Sequence, residues 1–151
     1  ASIALVHETL SSSRDSSVDF DDVLDNLVSH ALELSPRMGE LHIERTGTIG
    51  SLEPRIATPL ALVVTELIHN ALEHGLAEEG SALGIHATLN GRELAVTISD
   101  DGVGFPDGFD IATSPNLGLQ IVRTLTENEL RGQLQLITDD QQTRATLTFP
   151  V

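Results

Sequence analysis

The chain has 151 residues, 40% of them hydrophobic and 3% aromatic, with no Trp, Tyr or Cys. This suits one domain with an aliphatic core and excludes thiolate chemistry, disulfides and Cys-based zinc sites. A net charge of −15 opposes nucleic acid and anionic membrane, and all eight basic residues are Arg, which excludes a P-loop Lys, a Schiff-base Lys or a Lys general base.

No apolar run approaches the ~20 residues of a membrane span, and no signal peptide is visible. Ile3, Val6 and Leu10 have helical spacing in a short first segment, and Ser11 to Ser17 reads as a polar linker. Phe20, Val23, Leu24, Leu27, Val28, Ala31 and Leu32 form one helical stripe. Asp19 is its expected N-cap and Ser35-Pro36 its stop. Glu40 to Thr46 alternates as a half-buried strand, and a weak strand follows around Thr48 to Leu52. Thr58-Pro59 reads as an N-cap with Pro at the first helical position, opening a helix that turns Leu60, Val63, Val64, Leu67, Ile68, Ala71 and Leu72 inward. Gly75 is expected to end it as a C′ glycine. Leu83 to Leu89 and Leu94 to Ile98 alternate around Asn90-Gly91, the pattern of a hairpin with a type I′ turn. Asp100 to Asn116 is an irregular loop, Leu117 to Leu130 a third helix, and Gln133 to Thr138 with Thr143 to Pro150 a closing hairpin. This order is not a βαβ alternation. It predicts an α+β two-layer sandwich, a mixed β-sheet with about three helices on one face.

Three stretches carry chemistry. Glu66 and Asn70 lie four residues apart, one above the other on a helix face, so the amide can ligate a hard cation while the carboxylate takes a proton. Asp100, followed by Asp101-Gly102-Val103-Gly104, is a carboxylate in a glycine turn, able to accept a hydrogen bond from a base edge. Gly118 and Leu119 open a helix whose N-terminal amides suit phosphates. Each has a plainer reading: a solvated helix face, an acidic turn after a strand, an ordinary helix start. Their order and spacing favour one nucleotide site.

Those stretches resemble the ATP-binding domain of sensor histidine kinases, in the superfamily shared with gyrase, certain chaperones and mismatch-repair proteins. Leu62 to Gly75 looks like the N-box, Ile98 to Pro106 the first glycine box, and Asn116 to Leu125 the second. Gln142-Thr143 sits where the family usually has Gly-Thr. The opening Ser-Ile-Ala-Leu-Val-His-Glu-Thr-Leu resembles the end of the second dimerisation-hairpin helix, as in kinases with soluble PAS or GAF sensors. The chain would then be an excised piece, with residues 1–17 the hairpin end plus linker and 18–151 the catalytic domain of Bergerat-type fold.

The resemblance implies ATP and Mg²⁺ as cofactors, with Asn70 binding the metal and Glu66 as general base or orienting group. It implies that Asp100 accepts from the adenine amino group, with Gly102 and Gly104 bending beneath the base. Thr143 would hold the adenine edge directly or by water, and the Gly118 and Leu119 amides would face the phosphates. Arg123 would either reach a phosphate or sit on the surface, and Phe105 and Pro106 would cover part of the pocket. The sequence departs from the pattern at Asn116 and Gln142, where glycines are common, and at Glu73, where a Lys often contacts phosphate; the loop between the glycine boxes predicts a small ATP lid. His7-Glu8 looks like a phosphoacceptor pair but lacks a following hairpin helix, so the acceptor is expected upstream. His69 and His74 are expected to be packing or rim residues.

The implied activity is transfer of the ATP γ-phosphoryl to a histidine upstream of this fragment, and thence to a response regulator Asp. The fragment alone is expected to bind ATP·Mg²⁺ but hardly to phosphorylate itself. Implied partners are a receiver domain and upstream histidine-containing dimerisation helices, in the cytoplasm, with no nucleic acid and no membrane contact. Two alternatives remain: an anti-sigma-factor-type serine kinase, and a non-catalytic interaction module of the same fold.

Overall fold

A computed structural model describes residues 17–76, 79–105, 109–111, 116–139 and 142–151. The first segment and its His7 lie outside them. In chain order the elements are β1 (Val18–Asp19), α1 (Phe20–Glu33), β2 (His42–Thr46), β3 (Ser51–Leu52), α2 (Pro54–Asn70), β4 (Ala82–Asn90), β5 (Glu93–Asp100), α3 (Leu117–Thr124), β6 (Gln133–Thr138) and β7 (Thr143–Pro150). A five-stranded sheet has the order β2-β4-β5-β7-β6. β2 runs parallel to β4 and every other neighbour pair is antiparallel. The helices pack on one another and on one face of this sheet, as the alternating burial of β5 and β7 shows. β1 and β3 form a separate two-residue ladder beside them.

Local rules account for most boundaries. Asp19 caps α1 by accepting from the Asp21 amide at 3.1 Å and the Asp22 amide at 3.5 Å. The predicted stripe faces inward, with Phe20 and Leu24 almost fully buried. Asp21 then accepts from the Ile49 and Gly50 amides at 3.0 and 2.9 Å, while Arg45 bridges Asp21 and Asp25 at 2.5 Å each, tying the first turn of α1 to β2 and the loop after it. The core is aliphatic apart from Phe20 and Phe149, as the composition requires.

Three local expectations are corrected. α2 begins at Pro54, with Glu53 at the N-cap position, and not at Thr58. Pro54 already meets the preference for Pro in the first helical turn, and burial of Ile56 and Ala57 draws the extra turn into the core. Pro59 is accordingly an interior, buried proline. The β4–β5 loop is Gly91-Arg92, because Asn90 pairs with Glu93. Gly91 has φ +63° and Arg92 has no positive φ, the signature of a type II′ turn and not I′. Gly75 is not a left-handed C′ residue. It ends a π-helical turn, Ala71–Gly75, closed by the Leu76 amide on the Ala71 carbonyl at 2.7 Å. A second π turn, Leu125–Glu129, prolongs α3.

Candidate functional site

Asn70 ends α2, Asp100 ends β5, Thr143 begins β7, and Asn116 caps α3. All four reach the same end of the sandwich, where they line one cavity of about 440 Å³, a size that suits a small-molecule ligand. Asp100 and Thr143 are register partners on adjacent strands. Leu67, Ala71, Ile98, Val103, Leu119 and Ala145 supply an apolar lining around these few polar groups. Asn70 and Asp100, 30 positions apart in the numbering, therefore face a shared space.

The two adjacent carboxylates divide their work. Asp100 is 6% exposed and accepts from the Gly102 amide at 3.0 Å. Burial pushes its pKa above the ordinary carboxylate range; the Gly102 bond opposes this and the neighbouring Asp101 charge adds to it. Asp101 turns the other way, accepting from Ser81 and Ala82 amides at 2.8 and 2.9 Å. Partial burial would raise its pKa, but the Ala82 and Ser81 amides, its own amide and the Arg37 charge hold it low. Asp101 thus closes the loop before β4, while Asp100 faces the cavity.

Glycines make that arrangement possible. A Cβ on Gly75 would stand 2.6 Å from Asp100 Oδ1, and one on Gly102 would stand 1.6 Å from the Gly75 carbonyl oxygen. Gly104 has φ +77°, and a Cβ there would stand 2.7 Å from Thr138 Cγ2 and 3.0 Å from Thr143 Oγ1. Gly102 is therefore a packing glycine behind the cavity, whereas Gly104 lines it.

Two buried polar atoms in the wall, Asn70 Nδ2 and Thr143 Oγ1, have no hydrogen-bond partner among the described residues. Buried polar groups are normally satisfied, so orphans that converge on a cavity point to a polar ligand. The unpartnered Asn70 Nδ2 is a donor and fits an acceptor such as a phosphate oxygen, and Thr143 with Asp100 fits the edge of a base. Leu119 lines the cavity, yet its amide donates to Asn116 Oδ1 at 3.2 Å. Gly118 lies just outside the lining and faces Glu66: a Cβ there would stand 2.7 Å from Glu66 Oε2. The Glu66 carboxylate thus rests against the N-terminal turn of α3. Arg123 is not brought to the cavity; it pairs with Glu127 at 3.3 Å on the helix surface.

Phe105 lines the cavity as expected, while Pro106 falls outside the described residues. Phe109 was not foreseen. Its ring stacks on Phe105 with centroids 4.6 Å apart, so two of the chain's four Phe stand at this wall. The signal available was scarcity: an aromatic in a loop of an aliphatic protein rarely serves its core. His74 is an exposed rim residue and His69 contacts Glu73 at 3.0 Å. Among the described residues no cluster of three His, Cys, Asp or Glu could hold a metal, and no helix is long and apolar enough to cross a membrane.

Residues 55–151 match the family described as histidine kinase-, DNA gyrase B-, and HSP90-like ATPase. The sensor histidine kinase PdtaS of Mycobacterium tuberculosis is 44% identical over 137 residues, covering 89% of this chain and 27% of that relative. The chain thus spans about a quarter of the length of the curated relative it matches. A structure of the blue-light activated histidine kinase of Erythrobacter litoralis EL346 superposes with a TM-score of 0.81 at 25% identity, covering 97% of this chain and 50% of that one. An anti-sigma F factor of Clostridium kluyveri is similar at 29% identity over 69 residues, 44% of this chain and 48% of that relative.

Proposed function

The chain belongs to the histidine kinase-, DNA gyrase B- and HSP90-like ATPase family, and from that premise we propose that it is the ATP·Mg²⁺-binding catalytic domain of a cytoplasmic two-component sensor histidine kinase. The observation that carries the reading is the meeting of a buried carboxylate, an orphaned hydroxyl and an orphaned amide on one cavity wall. Residues 18–151 are the catalytic domain, and residues 1–17 lead from an upstream dimerisation hairpin that bears the phosphoacceptor.

Asp100 accepts from the adenine amino group, with Thr143 beside it on the neighbouring strand. Asn70 presents its side-chain oxygen to Mg²⁺. Mg²⁺ held there would supply charge neutralisation along the triphosphate, because the chain has no Lys and no described residue lining the cavity is an Arg. For the Leu119 amide to receive a phosphate oxygen, Asn116 must release it, so a small shift of the α3 cap accompanies binding. Glu66, at the same helix end, polarises the incoming imidazole by accepting from its far N–H. The bond from the γ-phosphorus to the bridging oxygen breaks, a bond to the imidazole nitrogen forms, and ADP leaves. The phosphoryl group then passes to a receiver-domain Asp. Most of the catalysis lies in positioning and charge.

The serine-kinase alternative rests on a shorter and weaker similarity. Extended similarity to a sensor histidine kinase over 89% of the chain favours the first reading. Thermal unfolding with ATP·Mg²⁺ tests the binding half, since a ligand that binds the folded state raises Tm by mass action. Wild type gains stability, while Asn70→Asp gains none. In the full-length kinase, Glu66→Ala retains the thermal shift and loses transfer. No shift for the wild type overturns the nucleotide assignment; undiminished transfer by Glu66→Ala overturns the role of Glu66.

A further inference from the structure

The geometry points to Arg37 as a positioning residue for adenine recognition, although it stands outside every nucleotide-binding box. This rests on the reading of Asp100 as the acceptor of the base.

Arg37 follows α1 and reaches across to the loop that connects α2 to β4. Nη1 donates to the Leu76 carbonyl at 2.8 Å and the Glu79 carbonyl at 3.3 Å, Nη2 to the Gly80 carbonyl at 2.8 Å, and Nε to Glu40 at 3.0 Å. The side chain is 19% exposed, and the bonds to the Leu76 and Gly80 carbonyls are part-buried while those to Glu79 and Glu40 are exposed. Three carbonyls are met by the two terminal nitrogens of one rigid fork while Nε holds Glu40, a spread that a Lys ammonium cannot reproduce.

The clamped loop is interlocked with the Asp100 turn. Gly80, at φ +75°, leaves no room for a Cβ against Asp101, whose carboxylate holds the Ser81 and Ala82 amides. On the other flank the Val103 amide donates to the Gly75 carbonyl at 3.0 Å, and Gly102 lies against that same carbonyl. Asp100 immediately precedes both attachments, and its carboxylate lies against Gly75, where an added Cβ would stand 2.6 Å from Oδ1. Arg37 therefore sets where the Asp100 carboxylate stands without touching the cavity itself.

A misplaced Asp100 weakens recognition of the adenine amino group and leaves phosphate binding alone. The test measures dissociation constants of the 151-residue chain for ADP and for inosine diphosphate, which carries a carbonyl in place of the amino group, both with Mg²⁺. Wild type prefers ADP. Arg37→Met loses that preference by about tenfold, the equivalent of one charge-assisted contact, and keeps its affinity for inosine diphosphate. Arg37→Lys falls between, because the charge returns without the fork. A preference unchanged in Arg37→Met, or an equal loss for both ligands, overturns the assignment, the second outcome meaning general destabilisation. Should Arg37→Met not fold, the Arg37→Lys ratio decides alone: a wild-type ratio overturns the proposal. A wild type that shows no preference for ADP, confirmed by an Asp100→Asn variant with the same ratio, overturns the reading of Asp100 and the Arg37 role with it.

Discussion

Replacing Gly75 with Ala sets two opposing effects against each other. Gly75 lies in a helical turn and has no positive φ, so Ala at such a position would ordinarily stabilise by about 1 kcal/mol through helix propensity. The added Cβ, however, would stand 2.6 Å from Asp100 Oδ1 and 2.8 Å from both Cγ and Oδ2. Asp100 is 6% exposed and cannot swing into solvent without leaving its place. Moving it breaks the 3.0 Å bond from the Gly102 amide, a loss of about 1–3 kcal/mol where the groups are buried. The steric effect wins, leaving a net destabilisation of roughly 0–2 kcal/mol; each kcal/mol lowers Tm by about 2–4 °C for a chain of this size. The larger consequence is functional, because the acceptor for the base has moved, so ADP·Mg²⁺ affinity falls by at least about tenfold. Thermal unfolding of both proteins with and without ADP·Mg²⁺ reads both effects. If Gly75→Ala melts higher than wild type and keeps the full ligand shift, the glycine is a mere helix terminator and the account of Asp100 is wrong.

Asp100→Asn removes a buried charge whose pKa is held above the ordinary range chiefly by burial. Because the folded state holds that proton more tightly than the unfolded one, wild-type stability declines as pH rises from about 4 through the folded pKa. The Asn variant should lack this decline, melt higher than wild type at pH 7 and show a smaller ADP shift; a Tm–pH profile parallel to wild type would contradict it. Asp21 behaves oppositely: partial burial would raise its pKa, but the Ile49 and Gly50 amides and Arg45 hold it low. Its contribution is full at neutral pH and disappears as pH falls below about 4, so Asp21→Asn should lower Tm at pH 7 with the gap closing at acid pH. Thr126 is fully buried with an unpartnered hydroxyl among the described residues. Thr126→Val should therefore stabilise by about 1 kcal/mol in denaturant titration, and a loss of stability would show that the hydroxyl is satisfied.

Several features of the fold were readable locally because local physics sets them. The α1 stripe, its Asp19 cap and the closing hairpin follow from periodicities of 3.6 and 2 residues and from side-chain-to-amide bonds within one turn. The failures have a common cause. Thr58-Pro59 satisfies the rules for a helix start, yet burial of Ile56 and Ala57 carries α2 one turn further back. Asn90-Gly91 satisfies the rules for a turn, but pairing of Asn90 with Glu93 moves the loop on by one residue. In both cases a tertiary contact outweighed a preference worth about 1 kcal/mol or less.

The site divides along the same line. Glu66 and Asn70 share a helix, so their relation was legible from a spacing of four residues. Residue order also determined that an amide, a carboxylate in a glycine turn and a helix start would occur in one chain. Only the strand order brought them to one cavity: β7 lies beside β5, and that alone makes Thr143 the neighbour of Asp100. The choice of Asp100 over Asp101 as the cavity-facing carboxylate, the fit of Gly75 against it, the Phe105–Phe109 stack and the reach of Arg37 were decided there too. Sequence periodicity encodes which face of an element is apolar; which distant groups meet depends on how those faces pack, and packing is a property of the assembled chain.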